Sequence, residues 1–438
     1  LVGPDRDDRL TQDYATDAIE VGGDVTRPFA GGGIKLIGLV SRRWRDFRDV
    51  SFNRLTDQIV LGGFSQVLDD QYGETLARLV WNRSDLNGWN VEAGAEGVIN
   101  RLASNVDLLS FGPGGVATRI DLPVDQAVVR EVRGEGFVNA GRALSKKLRL
   151  DLGLTYERSR ITVSGDATSR RTLSFWKPKA VIDWRPGKDW RLQFTAQRTV
   201  AQLQFEDFIS SAELSNDRVN GGNAELLPQR TWAFSAVVER PILGDGVFRT
   251  EVGYQRISLV QDRVPVPGGF DAPGNLGSGR VFVLRNRIEA PLKTLGIKGG
   301  RLTLFSSYVP TRVRDPYTLD HRPFTGNAKW YGEANFRQDL GKFAWGLNAY
   351  YQTNPTSFRL NELDTSVPAK PYLDAFVEWR PDRRTTVNLT IDNLLDSPVQ
   401  RRRYFYTPDR SSPAPVVFEE RRRNKHVVPV LTVKRAFG

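Results

Sequence analysis

Strict alternation of apolar and polar residues is the feature that most constrains this chain. In residues 148–156, leucines and a tyrosine occupy every second position, and polar residues or glycine fill the positions between them. Because the side chains of a β-strand point alternately to the two faces of a sheet, this period predicts a strand and excludes an amphipathic helix. The same alternation returns at 190–197, 343–352 and 385–392.

Turn-forming residues divide the pattern into hairpins whose connections alternate in length. Gly, Pro, Asn and Asp cluster in short turns at 30–33, 86–88, 185–188, 243–246, 339–341 and 381–383. Long polar stretches lie between them, at 47–73, 102–123, 201–225, 263–275, 354–370 and 396–423. The pattern predicts about 17 strands. Short turns on one rim and long loops on the other are typical of outer-membrane barrels.

A soluble β-sandwich or propeller also has alternating strands, so further features must separate the two classes. Many of the predicted strands are long enough to cross a bilayer at a tilt, whereas strands of soluble sheets are usually shorter. Trp184, Trp190 and Trp379 lie beside short turns, where the membrane interface favours aromatic rings. Charges such as Lys177 occupy the polar face in mid-strand. We therefore predict an all-β fold, an antiparallel up-and-down transmembrane β-barrel.

The alternation also assigns the two faces of the predicted barrel wall. The residues expected to contact lipid are Leu150, Leu152, Leu347, Leu389 and Val433. The residues expected to face the lumen are Asp151, Asn348, Thr390 and Thr432.

Composition excludes most catalytic chemistry. The 438 residues contain no Cys and only two His, His321 and His426, so thiolate nucleophiles, disulfides and His-based zinc sites are not expected. Neither a Gly-x-Ser-x-Gly motif nor a phosphate-binding loop occurs. The net charge of +11 is spread over 62 basic and 51 acidic residues without a nucleic-acid motif. We predict no enzyme, no cofactor, no metal site and no nucleic-acid partner.

One segment resembles a motif of TonB-dependent outer-membrane receptors. Residues 222–229 are similar to the Gly-Asn-Pro-x-Leu-x-Pro-Glu sequence that leads into a barrel strand in that family, with Asn223, Leu226 and Pro228 at the matching positions. The third and last positions of the motif differ. The resemblance covers most of the chain and is clearest from about residue 120 to the end.

Two further segments carry the resemblance near the C-terminus. Asn393, Leu394 and Asp396 are similar to the family's Asn-Leu-Phe-Asp segment, with Leu in place of Phe. The last strand ends on Phe437, and the barrel-assembly machinery recognises aromatic-terminated strands of this kind. Asn and Asp also terminate strands through hydrogen bonds of their own side chains, and Pro begins strands where no N–H is needed. We expect these residues to mark the family without performing chemistry.

The resemblance implies a receptor with an N-terminal plug, a short box that contacts TonB, and about 22 barrel strands. The strand pattern here begins by about residue 17 and accounts for about 17 of them, so we expect residues 1–438 to be a single partial barrel domain without a plug. TonB would act only through the missing plug. The expected surroundings are outer-membrane lipid and lipopolysaccharide of a Gram-negative bacterium. We also expect that these strands alone do not close.

The expected function is energy-coupled uptake of a scarce nutrient, either a metal chelate such as a siderophore or an oligosaccharide. A passive outer-membrane pore or structural barrel without TonB coupling remains the alternative, and a soluble β-protein is a third. The ligand itself is not evident from the sequence, because the resemblance implies that plug apices and loop side chains select the substrate, and the plug is expected to be missing. No metal-ligand constellation stands out among the scattered Asp, Glu and His residues.

Two runs of three arginines flank the last long polar stretch. They are Arg401, Arg402 and Arg403, and Arg421, Arg422 and Arg423. Because the guanidinium fork matches phosphate geometry, these residues are candidate contacts for lipopolysaccharide phosphates or an anionic ligand. Solvated loop charge is the alternative interpretation, and we favour it over ligand binding.

Overall fold

A computed structural model describes residues 6–55, 59–214, 218–267, 269–368 and 370–437. In this part of the chain, seventeen antiparallel strands form the wall, and each pairs with its neighbour in sequence. They are β1 (Arg6–Phe29), β2 (Gly32–Leu55), β3 (Val60–Leu86), β4 (Trp89–Phe111), β5 (Gln126–Ser145), β6 (Leu148–Gly165), β7 (Ser169–Trp184), β8 (Arg191–Val200), β9 (Arg230–Ile242), β10 (Gly246–Ser258), β11 (Ser278–Pro291), β12 (Gly300–Tyr308), β13 (Trp330–Leu340), β14 (Phe343–Gln352), β15 (Tyr372–Trp379), β16 (Thr385–Asp392) and β17 (Val428–Arg435). The predicted all-β antiparallel fold and its strand number are confirmed.

Helical structure in the described residues is confined to short 3-10 turns. These turns are Pro113–Gly115, Phe205–Phe208 and Lys293–Leu295. No helix in the described part of the chain is long and apolar enough to cross a membrane.

The connections alternate between a rim of short turns and a rim of long loops. All six predicted short turns lie at strand junctions, and the structure adds two more at 146–147 and 292–299. No Gly, Pro, Asn or Asp marks the turn at 146–147, which two lysines form. Alternating short and long connections are the arrangement expected for an outer-membrane barrel.

The prediction of a long loop at 47–73 was wrong. Residues 60–73 pair with β2 along a nearly continuous ladder, so β2 extends to Leu55 and β3 begins at Val60. The predicted loop at 102–123 also begins too early, since β4 continues to Phe111. In 47–73, polar and apolar residues are mixed on both faces, so the hydropathy pattern does not distinguish this hairpin from a polar loop. Residues 102–111 contain a single charge, and their apolar side chains Leu102, Val106 and Leu108 are buried. A long connection at 309–329 was not predicted.

The long loops contain short strands of their own. They are Ala117–Arg119, Ser211–Glu213, Arg218–Asn220, Gln261–Val266, Phe270–Asn275, Thr311–Arg314, His321–Arg322, Thr356–Phe358, Glu362–Pro368, Val399–Phe405 and Val417–Arg423. Three of these, Ala117–Arg119, Thr311–Arg314 and His321–Arg322, extend the wall into a 20-stranded sheet.

The two faces of the wall differ as the alternation predicts. On the outer face, Leu152, Leu347 and Leu389 expose 43%, 38% and 41% of their surface. On the opposite face, Lys177 of β7 forms ion pairs of 2.7 and 2.8 Å with Glu135 of β5 and Glu157 of β6. Apolar side chains thus face outward, where they would contact lipid, and the charged side chains of the polar face pair with one another.

The polar face is the concave, lumenal side, because one long loop crosses it. Residues 201–229 connect β8 to β9, yet Gln66 of β3 bonds to Ala212 and Gln202 bonds to Glu131 of β5. Phe208 in this segment is fully buried. A connection reaches several strands away only by spanning the inside of a curved sheet. The segment packs against buried apolar residues of the wall, including Leu102, Val106, Val129, Ile161 and Val163.

The first and last strands are the edges of the described sheet. Strand β1 pairs with β2 over its whole length, and β17 pairs with β16 from Val428 to Arg435. Within the described residues, no ladder joins β1 to β17.

Candidate ligand-binding crown

Five long connections meet on the long-loop rim and form the crown. The crown comprises residues 201–229, 259–277, 309–329, 353–371 and 393–427. A four-stranded sheet lies at its centre, with strand order Thr356–Phe358, Glu362–Pro368, Val399–Phe405 and Val417–Arg423. Backbone pairing thus joins the last two connections directly.

A first group of buried charges fixes a third connection to this sheet. Arg218 donates hydrogen bonds of 2.8 and 2.6 Å to the two carboxylate oxygens of Glu362 and one of 2.6 Å to Asp364. Asp364 also accepts from Arg401, and Glu362 accepts from Arg403. Three arginines and two carboxylates therefore alternate, so each charge has an opposite neighbour, as buried charges require.

A second group connects the sheet to the 259–277 loop. The Arg359 guanidinium donates to Asp271 at 2.7 Å and to the Asn220 side-chain oxygen at 2.8 Å. The second Asp271 oxygen accepts the backbone N–H of Leu360 at 2.7 Å. Both oxygens of this buried carboxylate are thus satisfied by the neighbouring connection.

A third group of buried charges joins the 309–329 connection to two of its neighbours. Arg322 donates to Asp262 at 2.8 Å and to Asp315 at 2.6 Å, and Arg410 donates to Asp315 at 2.7 Å. Arg410 also donates to the Arg359 carbonyl at 2.5 Å, which connects the second and third groups. The side chains in the three groups come from all five connections, so the crown is one cross-linked unit.

The same contacts shift the acidities of the crown carboxylates. Burial alone would raise the pKa of Glu362, but hydrogen bonds from Arg218 and Arg403 outweigh it and lower the pKa below its ordinary value. Asp315 also has a lowered pKa, because donation from Arg410 and from the Thr318 and Tyr317 backbone outweighs burial. These carboxylates stay charged well into the acid range.

The predicted arginine runs are largely engaged within the crown. Arg401 pairs with Asp364, Arg403 is buried against Glu362, and Arg402 pairs with Glu420. Arg421 pairs with Glu419. Arg422 and Arg423 are exposed and have no ion-pair partner among the described residues. Solvated charge thus describes these last two, whereas Arg401 and Arg403 join two connections of the crown. Arg402 and Arg421 pair within their own connection, and contact with lipopolysaccharide stays a prediction.

The first family segment fastens the inward-folded loop. Asn223 donates to the Pro273 carbonyl at 2.9 Å, and its side-chain oxygen accepts the Glu225 N–H at 2.9 Å. Leu226 is 1% exposed within the apolar cluster, and Pro228 is buried. Each of these contacts holds the segment in place.

The second family segment holds the end of β16. Asn393 adopts a left-handed backbone with φ of 57°, and its amide donates to the carbonyls of Ser397 and His426. Leu394 and Asp396 are exposed, and Asp396 also has a positive φ of 45°. Phe437, beyond β17, is 89% exposed.

A polar pocket of about 610 Å³ lies in the lumen beneath the crown. Arg43, Tyr72, Arg133 and Gln202 line it, together with Glu206 of the inward-folded loop. The Arg43 guanidinium lies 4.0 Å from the centre of the Tyr72 ring, and the Tyr72 hydroxyl donates to Glu206 at 2.9 Å. Sequence reasoning missed this pocket, because its residues come from distant strands and no motif marks them.

Metal ligation has no support in the residues that the structure describes, where no group of three or more His, Asp or Glu side chains could hold an ion.

A family profile described as TonB dependent receptor-like, beta-barrel matches residues 4–394. The siderophore receptor PiuA from Acinetobacter baumannii is similar in structure, with a TM-score of 0.65, 11% identity and coverage of 98% of this chain and 65% of that one. A search of curated protein sequences finds no match to this chain.

Two further solved structures share the fold. The ferric-catecholate import receptor Fiu from E. coli K12 has a TM-score of 0.60 and 11% identity over 98% of this chain and 64% of that one. The ferric yersiniabactin uptake receptor FyuA from Yersinia pestis has a TM-score of 0.61 and 11% identity over 97% and 62%. This chain therefore spans slightly less than two thirds of the length of these receptors.

Proposed function

Because this chain belongs to the TonB-dependent receptor-like β-barrel family, we propose that it forms the barrel of an outer-membrane receptor for energy-coupled uptake of a scarce nutrient. The observation that carries the proposal is the cross-linked crown above a lumenal pocket. Buried ion pairs keep the loops in one arrangement, and a preorganised surface loses less entropy when a ligand binds.

The pocket beneath the crown supports a polar ligand. Arg43, Arg133 and the Tyr72 ring supply cations, hydrogen-bond donors and an aromatic surface, while Gln202 and Glu206 supply acceptors. A metal chelate or an oligosaccharide presents matching groups. The three receptors named above handle siderophores or ferric chelates, which favours the metal chelate for this chain. Any metal ion would then arrive inside its chelator as cargo.

The proposed receptor would contact TonB, outer-membrane lipids and the barrel-assembly machinery. TonB would act through a plug, and the described residues form only wall and connections. Lipid and lipopolysaccharide of a Gram-negative outer membrane would surround the wall, and the barrel-assembly machinery would recognise its C-terminal strand. The chemistry is transport without catalysis.

A passive pore is the second candidate. The lumenal face carries ion pairs along its length, such as Arg337 with Glu378 at 3.0 Å, and a polar lumen conducts water and ions when nothing fills it. Uncoupled diffusion would need neither TonB nor a rigid crown.

The experiment that separates the two candidates is a growth assay under iron limitation. A strain lacking the gene that encodes this chain is supplied with a ferric catecholate, a ferric hydroxamate, ferric citrate or maltodextrin. We expect one ferric chelate to restore growth in the complemented strain, and a tonB deletion to abolish the effect. Growth restored equally with and without TonB would contradict energy-coupled uptake and support the pore.

A further inference from the structure

Three arginines on neighbouring strands meet at one level of the wall. Arg256 of β10 lies directly opposite Arg280 of β11, and Arg280 lies opposite Arg312 in the short strand Thr311–Arg314. We call these three residues the arginine row. All three side chains are exposed.

The row points away from the lumen. The next residue along each strand, namely Ile257, Val281 and Val313, is buried in one apolar cluster on the inner side. Because successive side chains of a strand alternate between faces, the arginines lie on the outer face.

No carboxylate balances the row. Like charges directly opposite in a sheet are destabilising, and within the described part of the chain none of the three arginines has an ion-pair partner. Farther along the same two strands, Arg249 also lies opposite Arg287, but there Glu239 and Glu289 form ion pairs of 3.4 and 2.7 Å. The chain therefore neutralises opposed arginines on the lumenal face, whereas the outer row has no counter-charge among the residues that the structure describes.

The arginine row lies at the edge of the lipid-facing apolar band that is nearest the long-loop rim. Arg256 lies ten positions along β10 from Gly246, at the short-turn end of the strand. At about 3.3 Å per residue and a tilt of roughly 40°, this is about 25 Å of height, which equals the usual height of the lipid-facing band. Just below the row, Tyr254 lies opposite Phe282, and both rings are exposed to the outside.

The row also borders a cavity of about 610 Å³. Tyr254, Ser278 and His321 line it together with the three arginines. Guanidinium forks bind phosphate through paired hydrogen bonds, and hydroxyl and imidazole groups add further donors. The ligand chemistry is therefore a phosphate group next to apolar material.

We propose that Arg256, Arg280 and Arg312 bind the phosphates of a phosphorylated lipid in the outer leaflet. The acyl chains of that lipid lie along Tyr254 and Phe282, below the charged row. A free phosphate ion would neutralise the charges but make no use of the rings beneath them. This site is separate from the arginine runs of the crown. The proposal of a lipid site rests on the outer face of the barrel and is independent of which ligand the receptor transports.

The test is lipid binding to the purified protein in detergent, with diphosphoryl lipid A as the probe. The triple variant R256Q/R280Q/R312Q removes the row. The matched control R249Q/R287Q/R301Q removes three charges from the lumenal face of the wall, where each arginine has a carboxylate partner. We expect native mass spectrometry to show a loss of affinity of tenfold or more, on the order of 1.4 kcal/mol, in the first variant only.

Two outcomes would overturn the proposal. Lipid A retained equally by the wild type and the row variant would exclude the site. Inorganic phosphate displacing lipid A at equal concentration would show that the row binds the ion and not the lipid. Heat-modifiable gel mobility verifies that each variant is folded, and if the triple variant does not fold, R280Q alone replaces it, with a several-fold loss expected.

Discussion

Arg218 and Glu362 form a two-pronged ion pair inside the crown, with hydrogen bonds of 2.8 and 2.6 Å, although 144 positions separate them in the chain. Their side chains are 11% and 3% exposed. Glu362 simultaneously accepts from Arg403. One carboxylate thus joins three of the five connections, and the order of the crown depends on it.

Replacing Glu362 with Gln should loosen the crown without unfolding the wall. Arg218 and Arg403 would lose their shared counter-charge in a buried place, and breaking a buried pair costs about 3–5 kcal/mol. Limited proteolysis of the folded protein should then cut within 393–427. The control is Glu420→Gln, whose pair with Arg402 is exposed and should contribute at most about 1 kcal/mol. Equal protease resistance in the two variants would contradict a role for Glu362.

The crown should resist acid down to about pH 4 and loosen below it. Asp315, Glu362 and Asp364 have lowered pKa values in the folded crown because arginine donors outweigh burial. A carboxyl whose folded pKa lies below its unfolded value stabilises the fold above the unfolded pKa and loses that effect as pH falls through the folded one. Hydrogen exchange in 353–371, corrected for intrinsic rates, should rise only in that acid range. Loosening between pH 6 and 8 would speak against this account.

A charge on the outer face should be far more costly than the loss of one on the lumenal face. Leu152 is exposed outward, whereas Asp151 beside it accepts from Arg149 in the lumen. Leu152→Arg should destabilise the protein by about 2–4 kcal/mol near the bilayer midplane, and Asp151→Asn by about 1 kcal/mol or less. Urea-dependent folding into phospholipid vesicles measures both changes, and equal values would invalidate the assignment of faces.

Asn393 should stabilise the junction between β16 and the last connection. Asn393→Ala removes the hydrogen bonds to the Ser397 and His426 carbonyls and places Ala in a left-handed backbone, at a cost of about 2–3 kcal/mol. Thermal unfolding followed by gel mobility should shift accordingly. Asp396→Asn, also at positive φ but exposed, should leave the midpoint almost unchanged because Asn tolerates this backbone. Similar shifts in both variants would argue against a specific role for Asn393.

The wall was predictable from the sequence because lipid and lumen impose opposite polarity on alternate residues. The pattern at 148–156 and the turns at 185–188 and 381–383 needed no knowledge of distant contacts. The hairpin at 47–73 was not predictable from the same alternation, since both of its faces carry polar groups. Arg45 pairs there with Asp70 across the strands, and period-two hydropathy is lost when no face is apolar.

The crown was not predictable, because its contacts join residues far apart in the chain. Arg359 and Asp271 lie 88 positions apart, and nothing in either local sequence indicates the partner. The sequence favours solvated charge for the run at 401–403, yet Arg403 is buried. The acidic pair Glu419 and Glu420, just before the second run, was the available signal, since antiparallel pairing places it opposite Arg403 and Arg402.

Both the receptor proposal and the lipid site require the crown to lie outside the cell and the short turns to face the periplasm. The chain contains no Cys, so single-cysteine variants give an unambiguous label. Ala414→Cys lies in the exposed part of the crown, and Gly187→Cys lies in a short turn where a Cβ meets no atom within 4 Å. With a membrane-impermeant maleimide on intact cells, we expect labelling of Ala414→Cys and none of Gly187→Cys until the outer membrane is opened. Labelling of Gly187→Cys alone on intact cells would contradict the account.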